Sequence, residues 1–438
     1  MRIDSLTLEN FRGFAQFTLD LHPEVTVLVG KNATGKTALL DALAVALGAW
    51  LSGMANARAE DRTLTSGDAR LVRRGEVLFP TLEYVFPVRV GASGVVGAER
   101  VDWARELRHR QGRTTTGETQ RLRQLAIGAE QKASSPEPAD LFLLAYYGTG
   151  RLWVEKRARA ERGEQLASRF QGYRSALEPA SDPKLFEAWM RWREEDYLQR
   201  IARASETGRP LAAVERSPHL QAVEAAACAC LEGASRFYYN VNYKELRVEM
   251  ADGTLLPFHA LSDGQRSLVA MAADIAWRAV QLNPHLGKDA PKLVSGVVLI
   301  DEIELHLHPA WQRRVIGDLR RAFPKLQFVV TTHSPQVIAS CEQAWIRLLV
   351  PGADRAFPAA PVHGRDSNAI LRDVMGVPPR AAWMQKKLDG VSDLIEAGEV
   401  AGATALLAEV KADLGADDEA VLGLEWELHD LEVNGAPD

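Results

Sequence analysis

The sequence predicts an α/β fold, a mixed sheet with flanking helices, joined to a mostly helical insertion and a helical C-terminal region. Three observations predict it. The loop Gly30-Lys31-Asn32-Ala33-Thr34-Gly35-Lys36-Thr37 lies between an apolar run, Val25 to Val29, and a helical pattern from Gly35 to about Leu47. Between residues 264 and 350, helical and strand patterns alternate, the rhythm of a sheet with crossover helices. Two strands of that series, Val297-Val298-Leu299-Ile300 and Phe328-Val329-Val330-Thr331-Thr332, are apolar without polar alternation, as in strands covered on both faces.

Taken in order, residues 1–29 read as three strands. Ile3, Leu6 and Leu8 mark the first; Phe14, Phe17, Leu19 and Leu21 precede a Pro23-Glu24 turn; the third enters the loop. Leu39, Leu43 and Leu47 recur every four residues in the following helix, which Gly48 can stop. A polar stretch runs to about Gly75, and Leu82-Glu83-Tyr84-Val85-Phe86 reads as a strand. Regions 100–135 and 151–235 are rich in Arg, Glu and Ala and read as helical. Phe186, Trp189, Met190, Trp192, Tyr197 and Ile201 give one helix an aromatic side. Leu141 to Tyr147 is a short buried strand, and Ala251-Asp252-Gly253 is a hairpin signal between Arg236–Met250 and Thr254–Phe258. Helices over 264–282, 309–323 and 335–341 then alternate with strands over 294–300, 326–331 and 344–350. A Pro/Gly-rich linker covers 351–364, and 367–433 is helical. These patterns divide the chain into 1–90, 91–251, 252–360 and 361–438.

The 438 residues suffice for two or three domains. Net charge is −6, which argues against coating nucleic acid along the whole surface. The charge is uneven. From Arg380 onward, 4 Lys/Arg face 14 Asp/Glu, whereas 100–174 carries 15 against 9. An acidic tail and a basic middle suggest different partners. The three cysteines have no zinc or disulfide spacing, which fits a reducing cytoplasm. Met1-Arg2-Ile3-Asp4 opens no signal peptide, and the longest uncharged stretch, Ala42 to Ala57, is too short to span a bilayer. The expectation is a cytoplasmic protein with no membrane partner.

The Gly30–Thr37 loop has the form of a P-loop, G-x-x-x-x-G-K-[ST], in its strand-to-helix context. Glycines let successive amides curl into an anion-binding nest, and the helix start adds partial positive charge. Lys36 can reach the β- and γ-phosphates and the Thr37 hydroxyl can ligate Mg²⁺. Standing alone, the pattern would also suit a glycine-rich turn; in this setting it predicts nucleoside triphosphate binding. Asp301 and Glu302 end one buried strand, where ligands of parallel sheets collect. Asp301 suits a Mg²⁺ shell and Glu302 the base for an attacking water. His333, ending the neighbouring strand, can sense the γ-phosphate or polarise the water, and otherwise serves as a capping or core histidine. Ser262-x-x-Gln265 is a capping box opening a helix, with Gly264 allowing close backbone approach.

Leu261-Ser262-Asp263-Gly264-Gln265 resembles the signature of ABC ATPases, with Asp263 where the usual form has glycine. P-loop, signature, Asp301-Glu302 and His333 occur in that family's order. Leu8-Glu9-Asn10-Phe11-Arg12-Gly13-Phe14, Asp301 to Pro309, and Thr332-His333-Ser334-Pro335 resemble the soluble RecF/SMC/OLD-like branch. Ala145 to Trp153, Gly172-Tyr173 and Asp366-Ser367-Asn368 are similar to the ATPases of Septu and retron defence systems, found beside an HNH nuclease.

The resemblance implies ATP and Mg²⁺ as cofactors. It implies a homodimer, or a higher homo-oligomer, that sandwiches ATP between one P-loop and the Ser262, Gly264 and Gln265 segment of a second copy, with Arg12 also near the nucleotide. Lys36, Glu302 and His333 would be catalytic; Thr37 and Asp301 would hold the metal. An HNH-type nuclease is the implied partner, and DNA is the alternative. A transporter subunit is disfavoured by the long insertion. The chain shows no nuclease site of its own. Gln131 and Gln165 lie in the interval of the family's Q-loop glutamine, but neither ends an obvious strand. His306 and His308 with Glu304 could bind a metal; the resemblance instead gives them the loop facing the dimer.

Overall fold

The computed structural model describes residues 1–74, 81–136, 139–150, 168–179, 183–210, 214–359, 361–378 and 380–435. It divides into two compact units, Met1–Gly364 and Arg365–Asp438.

In the first unit, strands β1 (Arg2–Phe11) and β2 (Phe14–Asp20) form a hairpin, and β3 (Val25–Gly30) leads into helix α1 (Lys36–Leu51). Every α1 residue except Thr37 is buried, so this helix is apolar all round and central. It packs on two sheets. One is antiparallel, ordered β2-β1-β6-β7, with β6 at Val88–Val96 and β7 at Glu99–Leu107.

The other sheet has six strands, ordered β15-β14-β3-β13-β12-β8. Here β8 is Leu143–Tyr147, β12 Gly296–Ile300, β13 Leu326–Thr332, β14 Ile346–Leu349 and β15 Phe357–Pro358. All run parallel except β15. In register, Ile300 stands beside Val330 and Tyr147, and Val330 beside Val27. The carboxyl ends of β3, β13, β12 and β8 therefore line up on one edge, and every residue of β8, β12 and β13 is buried. That stacking explains the apolar runs.

Two smaller sheets complete the strands. They are the hairpin β4 (Arg70–Arg74) with β5 (Thr81–Val85), and β9 (Ala234–Asn240), β10 (Glu245–Met250) and β11 (Leu255–Pro257). Of the helices α2 (Gln120–Ala133), α3 (Pro183–Glu206), α4 (Pro218–Ala229) and α5 (Asp263–Leu282), α3 and α4 pack on β9, α4 packs on α5, and α2 packs on α1 and β7. Gly253, with φ of 85°, turns the β10–β11 hairpin as expected.

Four local readings change. Helix α1 does not stop at Gly48 but runs through it to Leu51. Residues 100–107 are strand, not helix. Val101, Trp103, Arg105 and Leu107 alternate inward, and the buried Arg105 is neutralised by Asp61 at 2.7 and 2.9 Å. Strand β4 occupies part of the stretch read as polar loop. The helix expected over 309–323 breaks at Arg313-Arg314 into α6 (Pro309–Gln312) and α7 (Val315–Ala322).

The second unit is helical: α8 (Ser367–Asp373), α9 (Ala382–Glu396), α10 (Val400–Leu414) and α11 (Glu419–Asn434). Asp366 caps the first by accepting from the amides of Asn368 and Ala369 at 2.9 and 3.0 Å. Met384, Leu388, Val391, Leu407, Val410, Val421 and Leu428 form its core. Among the described residues of either unit, no helix is long and apolar enough to cross a membrane.

Candidate nucleotide-binding site

The loop after β3 is shaped by two left-handed residues, Ala33 with φ of 63° and Gly35 with φ of 92°. Alternating handedness of this kind turns backbone N–H groups inward as an anion concavity. A Cβ on Gly35 would stand 2.5 Å from the Phe14 ring, so both space and backbone require glycine there. Thr34 Oγ1 donates to the Lys31 carbonyl at 2.9 Å, bracing the turn. Lys31, Asn32, Ala33 and Thr37 are exposed and Lys36 is buried. Lys36 Nζ donates to the carbonyls of Gly30 and Lys31 at 2.8 and 3.0 Å, folding the ammonium back over the loop mouth. Burial lowers its pKa below the usual lysine value, against the opposing pull of Asp301, Glu302 and Glu304.

Asp301 and Glu302 sit at the end of β12, next to the start of α1. Thr37 Oγ1 donates to Asp301 Oδ2 at 2.9 Å, and Thr331 Oγ1 on β13 donates to Asp301 Oδ1 at 2.6 Å. Glu302 adopts φ of 47°, a left-handed conformation that costs a non-glycine residue about 1–3 kcal/mol unless its surroundings fix it. They do. Its amide donates to Thr331 Oγ1 at 2.7 Å, and its carbonyl accepts from the Leu305 amide at 2.9 Å. The backbone that carries the carboxylate is thus fixed.

His333 follows β13, and its amide donates to Glu304 Oε1 at 2.5 Å. The other Glu304 oxygen, Oε2, is buried with no hydrogen-bond partner. Ser334 caps the next short helix and donates to Gln312 Oε1 at 2.6 Å, while Gln312 Nε2 donates to the Leu307 carbonyl at 2.8 Å. These bonds tie the His333 backbone to the 303–309 turn. That turn carries His306, exposed and left-handed with φ of 62°. His308 Nδ1 accepts from the Ala310 amide at 3.3 Å, a helix cap. Among the described residues, no three His, Cys, Asp or Glu side chains converge as metal ligands.

Ser262 caps α5 in a reciprocal capping box with Gln265. Ser262 is exposed, while Gly264 is buried against the 306–307 backbone, where a Cβ would lie 2.3 Å from the His306 carbonyl oxygen. Arg12, in the β1–β2 turn, reaches Asp41 on α1. Its guanidinium is held by Asp41 and Asp68, at 2.5 and 2.9 Å. Gln131 is exposed on α2, away from any strand end, and Gln165 lies outside the described residues, as do Arg151, Leu152 and Trp153.

Sequence reasoning missed Thr331, the hydroxyl that ties Asp301 to the Glu302 backbone; a polar residue two before His333 in an apolar strand was its signal. It also left unassigned the tyrosines of β8. Tyr146 Oη donates to Asp41 Oδ1 at 3.1 Å, and Tyr147 Oη to Asp274 Oδ2 at 2.6 Å. Arg278 bonds Asp274 and the Gly172 carbonyl, so the 145–148 and 172–173 segments share one buried network behind the site.

Residues 25–339 match the profile of a family described as "AAA domain, putative AbiEii toxin, Type IV TA system". The chain belongs to this family. Among relatives of this AAA protein, the "Retron Ec83 probable ATPase" of Escherichia coli is 26% identical, over 98% of this chain and 86% of its own length. The "Retron Vc95 probable ATPase" of Vibrio cholerae serotype O1 biovar El Tor is 42% identical over 22% of this chain and 19% of its own. "Septu protein PtuA" of Bacillus mycoides (strain KBAB4) is 39% identical over 22% of this chain and 13% of its own. The resemblance to ABC-type ATPases of the RecF/SMC branch, and within it to the retron and Septu proteins, is borne out.

The oxygens of Thr37 and Asp301 suit a hard divalent cation completed by substrate phosphates. Such an ion would neutralise charge on a triphosphate. The chain's own residues could supply an anion nest, an ammonium at its mouth, and a carboxylate carried on a fixed backbone turn.

Proposed function

We propose that this AAA protein binds ATP at Gly30–Thr37 and hydrolyses it, with Glu302 as base, Lys36 and His333 assisting, and Thr37 and Asp301 holding Mg²⁺. The observation that carries this reading is the bonded chain Thr37–Asp301–Thr331–Glu302, which joins the P-loop helix to two strand ends. Two copies close around two ATP molecules, each offering Ser262, Gly264 and Gln265 to the other's P-loop. An exposed Ser262 on a capped helix start supports this, because one helix end cannot surround a triphosphate.

The ATP cycle gates or scaffolds an effector nuclease in antiphage defence, a reading supported by the retron and Septu relatives. The RecF-like alternative, binding DNA through the basic middle, is weaker. Arg105 is spent on Asp61, Arg121 pairs with Glu99, and Arg169 is committed to the carbonyls of Leu282, Ala133 and Ala139. Affinity capture of the Glu302→Gln protein with ATP tests the whole. A co-purifying nuclease and an ATP-dependent dimer are expected; a monomer that retains only DNA would overturn the reading.

A further inference from the structure

Helix α1 has 16 residues, so its end lies about 24 Å from the P-loop at 1.5 Å per residue. At that far end is a second concavity of about 380 Å³. Its walls include Ser52, which caps α1, together with Arg58, Arg105, Arg113 and Arg123. Asp61 is its single acidic residue, and that carboxylate is already spent on Arg105 through two bonds of 2.7 and 2.9 Å. We propose that this cavity is a second anion site, which binds a phosphate group remote from the P-loop.

Three observations carry the assignment. Four guanidiniums share a small cavity whose one acid is paired with Arg105, so Arg58, Arg113 and Arg123 are left as an uncompensated positive excess. Among the described residues, Arg58, Arg113 and Arg123 have no ion-pair partner. Arg105 is only 2% exposed and its Nε has no hydrogen-bond partner; the buried Nε of Arg123 has none either. An unpaired N–H buried in protein is costly, and two such groups belong to residues that line this one cavity.

Guanidinium forks match phosphate oxygens in geometry, and the Thr63 and Thr116 hydroxyls extend the donor set. A cation is excluded by the charge. The cavity's size suits a small ligand, and nothing on its wall offers the aromatic faces that bind nucleic-acid bases. The partial negative charge at the end of α1 opposes an anion, but it is a fraction of one charge against the three arginines without an acidic partner. The phosphate has two sources, a free di- or polyphosphate or the 5′-phosphate of a nucleic-acid end.

The test is calorimetric titration of the full chain with inorganic pyrophosphate. Wild type should show two saturable events, and Lys36→Ala should keep one. Arg58→Gln with Arg113→Gln, both exposed, should weaken that remaining event by about tenfold or more. Arg123→Lys, which keeps the charge and loses the fork, should weaken it less. Displacement by a 5′-phosphorylated oligonucleotide and not by its unphosphorylated form would assign the strand-end source; displacement by neither leaves the free polyphosphate. Loss of all binding in Lys36→Ala, binding indifferent to the arginine substitutions, or equal displacement by the unphosphorylated strand would overturn the site. Because Lys36 and the arginines are varied separately, failure here is distinct from failure of the P-loop reading.

Discussion

Arg278 Nε donates to Asp274 Oδ2 at 2.7 Å, one turn apart on α5, with both side chains buried. Tyr147 on β8 donates to the same oxygen. Removing the carboxylate leaves a buried guanidinium uncompensated, which costs about 3–5 kcal/mol. Asp274→Ala should therefore lower the urea unfolding midpoint sharply. The surface change Glu427→Ala should stay within about 0.5 kcal/mol of wild type. A midpoint for Asp274→Ala equal to that control would mean the network contributes nothing.

Glu302 and Lys36 should separate chemistry from binding. Glu302→Gln keeps the shape of the strand-end turn, because the backbone bond to Thr331 sets it. ATP should still bind, and turnover should fall by about 10²–10⁴-fold, the range for a lost general base. Lys36→Ala should lose nucleotide affinity outright. Equilibrium binding and phosphate release, measured on the same preparations, check both. Wild-type turnover in Glu302→Gln would assign the base elsewhere.

Burial pushes the thiols of Cys228, Cys230 and Cys341 up to about 12, and it also raises the phenols of Tyr146, Tyr147 and Tyr173. Two consequences follow from the sign. At pH 8 all three thiols stay protonated, so iodoacetamide should label the native protein slowly and the urea-unfolded protein at all three positions. The raised values also contribute stability that is complete below the unfolded values, about 8.5 for cysteine and about 10 for tyrosine. That stability is lost as pH rises toward 12. The melting temperature should fall between pH 8 and pH 11, and a flat profile would contradict the buried environment of these groups.

The core sheet was legible because its strands are apolar without relief, and the P-loop because glycine, lysine and threonine stand at fixed spacing after one of them. Strand β7 was not. Its Arg100, Asp102, Arg105 and Glu106 suggest a solvated helix, and the buried arginine is satisfied by Asp61, 44 residues away, with the carbonyls of Val45 and Arg62. Thr331 was hidden for a related reason: its hydroxyl gains meaning only from the register that sets β13 beside β12. The arginine cavity past α1 draws on residues 52 to 123 brought together by the fold, with no motif in sequence.

Gly264 gives the sharpest test of the dimer. Its backbone lies so near the 306–307 turn that an added Cβ would stand 2.3 Å from the His306 carbonyl oxygen, and backbone cannot rotate away as a side chain can. Gly264→Ala must therefore shift the start of α5, and Ser262 with it, relative to the turn that carries Glu302 and Glu304. The P-loop of the same chain is built by β3 and α1 and does not contain this contact. If the helix start serves a second copy, ATP should still bind to Gly264→Ala, while ATP-dependent dimerisation and turnover fall together. Ser262→Arg, which adds bulk and charge at an exposed cap without touching the turn, should act the same way. Size-exclusion chromatography with and without ATP, beside turnover, reads both variants. Turnover kept at the wild-type level by a strictly monomeric Ser262→Arg protein would remove the second copy from the reaction.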